Sequence, residues 1–190
     1  MQSVFLKTGE SIVTAEEIKV ITILGSCVSV VIFDPILKMG AISHALLPDS
    51  SFSARTETKP NPMQYVEEGF YALLDYFYKK GIKKWRLEVK IFGGAKVNYC
   101  DQNTDYCTNI GEQNYLKALE VAEREGLKVL AKDIGGDRGR KLVFYTAQGV
   151  VYRKIVSDKS KELKQQAEVL ANVEDPCVSC RRFRKHPSNA

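Results

Sequence analysis

Apolar residues in the first fifty positions fall into three β-rich runs, 20–24, 28–33 and 40–47, each bounded by turn-forming residues. Asp34-Pro35 breaks the second run, which predicts an antiparallel hairpin with the third and a loop at 36–39. The two arms of that hairpin are similar in length at about 3.3 Å per residue, so they carry residues 27 and 44 to the same end. Residues 48–62 are polar and proline-punctuated and predict a long surface loop. Val66, Phe70, Leu73, Leu74 and Phe77 then recur at helical spacing, with Asn61-Pro62 as the start signal and Gly81 as the stop. Residues 85–92 alternate apolar and polar as a half-buried strand does, up to Gly93-Gly94, and a loop spans 100–108. A second helix is predicted over 111–126, with Leu116, Leu119 and Ala122 on its apolar side and Gly126 at its end. Strands follow at 127–132, 142–146 and 150–155, the last two as a hairpin around Gln148-Gly149. A charged helix over 159–172 and a tail rich in proline, cysteine and arginine finish the chain, which shows no internal repeat.

Composition narrows the class. With 190 residues, 44% hydrophobic and 27% charged, the chain fits one globular domain and not a disordered, collagenous or coiled-coil protein. The pattern divides it into a main body, 1–156, and a tail, 157–190. No apolar run approaches the roughly 18 residues of a membrane span, and the N-terminal residues lack a signal-peptide pattern, so a cytoplasmic protein without membrane insertion is expected. The net charge of +5 resides almost wholly in Arg181, Arg182, Arg184 and Lys185; without them the chain carries +1. The body therefore has no electrostatic reason to bind nucleic acid. Five cysteines, an odd number, point to reduced thiols with chemical or metal-binding roles rather than a disulfide framework.

Cys27 follows Leu24-Gly25-Ser26, where a glycine permits a tight backbone path and leaves the amides of Gly25 and Ser26 free to face an oxyanion. A thiol of ordinary pKa is only about 3% thiolate at pH 7, so a nucleophilic cysteine needs a base, and His44 is the histidine outside the tail. Thr22, Ser43 or a backbone carbonyl can orient the imidazole, with Thr22 preferred. Spacing alone is met more often by a small buried thiol and a core histidine.

Several separated blocks carry a resemblance that changes those odds. They are residues 22–30 around Gly25-Ser26-Cys27-Val28, residues 40–48 around Ser43-His44 and Leu47-Pro48, Lys90 to Ala95 with Phe92-Gly93-Gly94, Asn109 to Asn114, and Gly135 to Lys141. Together they resemble the CheD family, bacterial chemoreceptor glutamine deamidases, over about residues 10–156. The resemblance implies an α/β fold: a layered sandwich of largely antiparallel, mixed β-sheet covered by two main helices. It implies Cys27 as nucleophile, His44 as general base and acid and Thr22 as third member, with Phe92, Gly93 and Gly94 in a substrate loop. The implied reaction is hydrolysis of glutamine side chains on the cytoplasmic helices of methyl-accepting chemotaxis receptors, without cofactor or metal. A phosphatase of the CheC type is an implied partner, and a non-catalytic regulatory module stimulating that phosphatase is the alternative reading. A cysteine peptidase is a third class that no residue favours.

The remaining motifs read more plainly. Gly93-Gly94 and Gly135 to Gly139 lack phosphate-loop spacing and predict tight turns. Arg140 is expected to orient a substrate carbonyl or, more simply, to pair at the surface with Asp133 or Asp137. Cys177, Cys180 and His186 offer three zinc ligands where a closed site needs four, and Cys100 and Cys107 complete it only if the tail folds back, so a mobile or partner-binding tail is preferred.

Overall fold

Short β-branched runs separated by turns build two sheets, and the computed structural model describes them through residues 1–52, 61–96, 109–156 and 181–182. The strands are β1 (Gln2–Phe5), β2 (Ser11–Thr14), β3 (Ile18–Leu24), β4 (Val28–Asp34), β5 (Met39–Ser43), β6 (Glu88–Gly93), β7 (Val129–Ile134), β8 (Arg140–Tyr145), β9 (Val150–Ile155) and the two-residue β10 (Arg181–Arg182). One sheet runs β1-β3-β8-β9 and the other β10-β2-β5-β4-β6-β7. Only β1 with β3 and β6 with β7 pair in parallel, so the assembly is mixed and largely antiparallel, as expected.

Two helices, α1 (Val66–Lys79) and α2 (Ile110–Arg124), cover one face of the larger sheet. Val66, Phe70, Leu73, Leu74 and Phe77 of α1 pack there with Val28, Val30, Ile32 and Ala45. The opposite face meets the smaller sheet through Val31, Ile42 and Phe92 against Val20, Leu24, Leu142 and Phe144. The central strand β4 is thus covered on both sides and all seven of its residues are buried. Burying each large aliphatic or aromatic side chain in these layers contributes about 1.5–3 kcal/mol.

The hairpin of β4 and β5 has its expected turn, and Asp34 fixes it. The Asp34 carboxylate accepts from the amides of Ile36 and Leu37 at 2.8 and 3.2 Å and pairs with Arg86 at 2.6 Å.

Several expectations shift. Asn61 caps a 3-10 turn over Pro62–Gln64 rather than the helix, which begins one residue beyond Tyr65. The start of the expected strand at 85–92 is another 3-10 turn, Lys84–Arg86, and leaves Trp85 79% exposed. On α2 the buried stripe is Gly111, Asn114, Ala118, Val121 and Ala122, while Leu116 is half exposed. The stretch around Cys100 and Cys107 and the tail positions Cys177, Cys180 and His186 lie outside the described residues. Among the described residues, no cluster of three or more His, Cys, Asp or Glu is arranged to hold a metal, and no helix is long and apolar enough to cross a membrane.

Candidate active site

The hairpin register continues past the strand ends, where Val28 and Ala45 exchange both backbone hydrogen bonds at 3.0 and 2.9 Å. Side chains alternate between faces, so with Val28 and Ala45 turned toward the helices, Cys27 and His44 both turn toward the smaller sheet. They occupy diagonal positions, a relation that puts backbones about 7–8 Å apart and longer side chains within reach. Cys27 is half-buried and His44 is buried.

From the smaller sheet, the inward-facing, buried Thr22 of β3 reaches across. Its Oγ1 lies 2.8 Å from His44 Nδ1 and donates to the Leu6 carbonyl at 2.9 Å. His44 Nδ1 is itself 3.4 Å from that carbonyl. A lone pair on Nδ1 would face the lone pairs of the Leu6 oxygen, whereas a proton on Nδ1 satisfies both oxygens. The arrangement therefore fixes the Nδ1–H tautomer and leaves the Nε2 lone pair free. Thr8 Oγ1 lies 3.3 Å from Nε2. Thr8 also acts on the Cys27 thiol in the direction that favours the thiolate.

Burial pushes the Cys27 thiol up to about 11, against the opposing pull of its own backbone N–H and of Thr8. Burial likewise pulls the His44 imidazole down to about 4, opposed by the Leu6 carbonyl and the Glu10 carboxylate. Both groups are neutral at rest.

The depressed His44 pKa makes stability pH-dependent. Between its ordinary 6.5 and about 4, the unfolded chain binds a proton that the folded chain excludes. Stability should therefore fall by on the order of 3 kcal/mol as pH drops through this window, read by urea melts at stepped pH. His44→Gln should flatten that dependence. A second substitution tests the tautomer lock. Thr22→Val keeps the shape but leaves two buried polar groups poorly paired, and should cost about 1–3 kcal/mol in the same melts. Persistence of wild-type stability in Thr22→Val would contradict the hydrogen-bond arrangement.

The turn holding Cys27 is pinned through its carbonyls. Gly25 accepts from Ala95 N–H at 2.9 Å, Ser26 from Asn114 Nδ2 at 2.9 Å and Cys27 from Gly94 N–H at 2.8 Å. The amides of Ser26 and Cys27 make no backbone hydrogen bond among the described residues. Gly93 has φ +117°, and a methyl group there would overlap the Cys27 carbonyl. Phe92 turns its ring into the same core cluster against which Cys27 packs, so of the expected loop only Gly93 and Gly94 lie against the turn.

Two residues brace this arrangement without having been singled out for it. Asn114 spends both Nδ2 protons, on Ser26 and on the Leu46 carbonyl at 2.9 Å, tying the cysteine turn to the strand that carries His44. A polar side chain on the buried stripe of α2 is the sequence signal that marks it. Arg140, expected at the surface, is buried. It donates to the carbonyls of Gly93 at 3.0 Å, Asp133 and Gly135 and pairs with the Asp133 carboxylate at 3.1 Å. Its Nη1 and Nη2 are engaged by these carbonyls and the Asp133 carboxylate, while the buried Nε has no partner among the described residues. Thr8 and Leu6 carry no local sequence signal, because parallel pairing of β1 with β3 brings them in.

A family model described as CheD chemotactic sensory transduction matches residues 46–155, more than half of the chain. The chain is 36% identical over 173 residues to a protein of Oleidesulfovibrio alaskensis named "Probable chemoreceptor glutamine deamidase CheD", covering 90% of this chain and 81% of the relative. It is 39% identical to "Probable chemoreceptor glutamine deamidase CheD 2" of Geobacter sulfurreducens, over 80% of this chain and 88% of that one. A relative of the first name from Maridesulfovibrio salexigens is 37% identical, over 81% and 92%. A match over 90% of the chain leaves no room to omit residues 27–44, so the hairpin with its thiol and imidazole falls inside the shared region. Identity sustained across most of both partners, together with the family-model match, makes this chain a member of the CheD family.

Proposed function

We propose that this chain is a cysteine hydrolase that converts glutamine side chains of chemoreceptors to glutamate. The names of its relatives supply the substrate class. The observation that carries the mechanism is the contact of Thr22 Oγ1 with His44 Nδ1, which leaves Nε2 as the basic nitrogen on the sheet face that His44 shares with Cys27. In this reading His44 takes the thiol proton and the sulfur attacks the carboxamide carbon, forming a carbon–sulfur bond and an oxyanion. The Cys27 amide, with Ser26 and Gly25 beside it, offers N–H donors to that oxyanion, an effect worth on the order of 3 kcal/mol per donor. Collapse expels ammonia, which leaves with the proton held by His44. Water, deprotonated by His44, then cleaves the thioester, and the proton returns to the sulfur with release of glutamate. Each half-reaction returns His44 to neutrality, which suits a histidine whose burial disfavours the imidazolium.

Thr22 acts as the third member by holding the tautomer, and the Gly93-Gly94 loop supports the cysteine turn from behind. No cofactor enters these steps. The substrate segments are the cytoplasmic helices of methyl-accepting receptors, so the protein works in the cytoplasm at the membrane face, without inserting.

Incubation of the purified chain with a receptor cytoplasmic fragment, followed by mass spectrometry for Gln-to-Glu conversion, tests the reading. Conversion by wild type and not by Cys27→Ala supports it. Absence of conversion, with folded protein bound to receptor, would sink it in favour of a regulatory module acting on a CheC-type phosphatase.

A further inference from the structure

Thr8 sits in the turn between β1 and β2, outside every block by which the family is recognised, yet its hydroxyl is the group nearest the free nitrogen of His44 in the described contacts. The turn is held against His44 on both sides. Gly9 N–H donates to the His44 carbonyl at 2.7 Å, and His44 N–H donates to the Glu10 carbonyl at 3.0 Å. Asn61 Nδ2 adds a bond to the Gly9 carbonyl at 2.8 Å. The Thr8 backbone is therefore fixed relative to the imidazole, although its side chain is exposed and contributes little to the core.

Proton accounting then assigns the hydroxyl a direction. Thr22 and Leu6 keep the proton of His44 on Nδ1, so Nε2 can only accept, and the Thr8 hydroxyl must donate to it. A hydroxyl that has given its one proton to Nε2 presents its lone pairs to a second donor. The thiol of Cys27, diagonal to His44 on the same face of the sheet and influenced by Thr8, is the donor that a relay calls for.

We propose that Thr8 is a catalytic residue that relays the proton between Cys27 and His44, its Oγ1 standing beside His44 Nε2. The inference rests on the deamidase reading for its role in turnover. In the forward step the S–H bond breaks as a new O–H bond forms on Thr8, while the original O–H bond breaks as N–H forms at Nε2. The net result is a thiolate, an imidazolium and an unchanged threonine. The thiolate then accepts a hydrogen bond from the same hydroxyl, now turned toward sulfur.

Thr8→Val keeps the branched shape at an exposed site and deletes the relay, whereas Thr8→Ser retains it. Two rates separate the ideas: kcat/KM for receptor deamidation, and the rate at which iodoacetamide alkylates Cys27 at fixed pH, followed on the Cys27 peptide by mass spectrometry. Thr8→Val, with an unchanged circular dichroism spectrum, is expected to lower both by at least about 10-fold, and Thr8→Ser to restore both. Alkylation at the wild-type rate or faster in Thr8→Val would overturn the proposal, the faster rate marking Thr8 as a plug over the thiol. Alkylation needs no receptor, so slowed alkylation in Thr8→Val when the wild-type protein itself fails to deamidate would keep the relay and remove the deamidase reading. Normal deamidation by Thr8→Val would do the reverse.

Discussion

Cys27→Ala is expected to abolish receptor deamidation, lowering kcat by roughly 10⁴- to 10⁶-fold, while the protein stays folded. The size of the loss follows from the chemistry. Without sulfur no thioester forms, and the remaining site offers only oriented amides and bound water, which in comparable hydrolases leaves a small residual rate. The fold survives because Cys27 is half-buried and its turn is held through backbone carbonyls, not through its side chain. Removing one sulfur should change stability by about 1 kcal/mol or less. Paired urea melts and Gln-to-Glu mass spectrometry read the two effects separately. Retention of more than about a tenth of wild-type turnover would exclude Cys27 as the nucleophile.

Gly93→Ala should be the most damaging single methyl group in this molecule for site and fold together. Two costs add there. The backbone at φ +117° lies where residues with a Cβ rarely go, and the new methyl would overlap the carbonyl of Cys27, with Val28 Cα at 3.0 Å. Gly81→Ala is the matched control, because Gly81 also has positive φ, +75°, but nothing within 4 Å of its Cβ position. The control should lose about 1 kcal/mol from strain alone. Gly93→Ala should lose at least about 3 kcal/mol and, where folded, deamidate at least about 10²-fold more slowly, because the cysteine turn must shift to admit the methyl. Equal stability losses in the two variants would show that the close approach at Gly93 carries no energetic weight.

The parts of the site that the chain spelled out are those set by neighbouring residues. Asp34-Pro35 declared the turn, arm length carried residues 27 and 44 to one end, and alternation then placed both side chains on one face. Thr22 was preferred over Ser43 on strand position, and it is Thr22 that meets His44. What stayed hidden depends on long-range pairing. Strands β1 and β2 are four residues each, too short to assert a period, and all of β2 is buried, with Ile12 in the core shared with the smaller sheet and Val13 in the core under the helices. Leu6 and Thr8 arrive only through that pairing. Arg140 keeps its expected partner Asp133 but not its expected exposure: besides that carboxylate, the carbonyls of Gly93, Asp133 and Gly135 accept from its guanidinium inside the protein. Leu116 and Trp85 show the converse, apolar residues whose place on a helix or 3-10 turn faces outward.

The raised pKa of Cys27 has a chemical consequence away from substrate. Peroxides oxidise thiolates and react slowly with neutral thiols, so susceptibility to sulfenic acid formation follows the thiolate fraction. A sulfur held near pKa 11 by its surroundings is almost wholly protonated at neutral pH. Between encounters with substrate, the protein keeps its one described free cysteine in a form that oxidants leave largely untouched. The burial that raises this pKa thereby also slows oxidation of the sulfur.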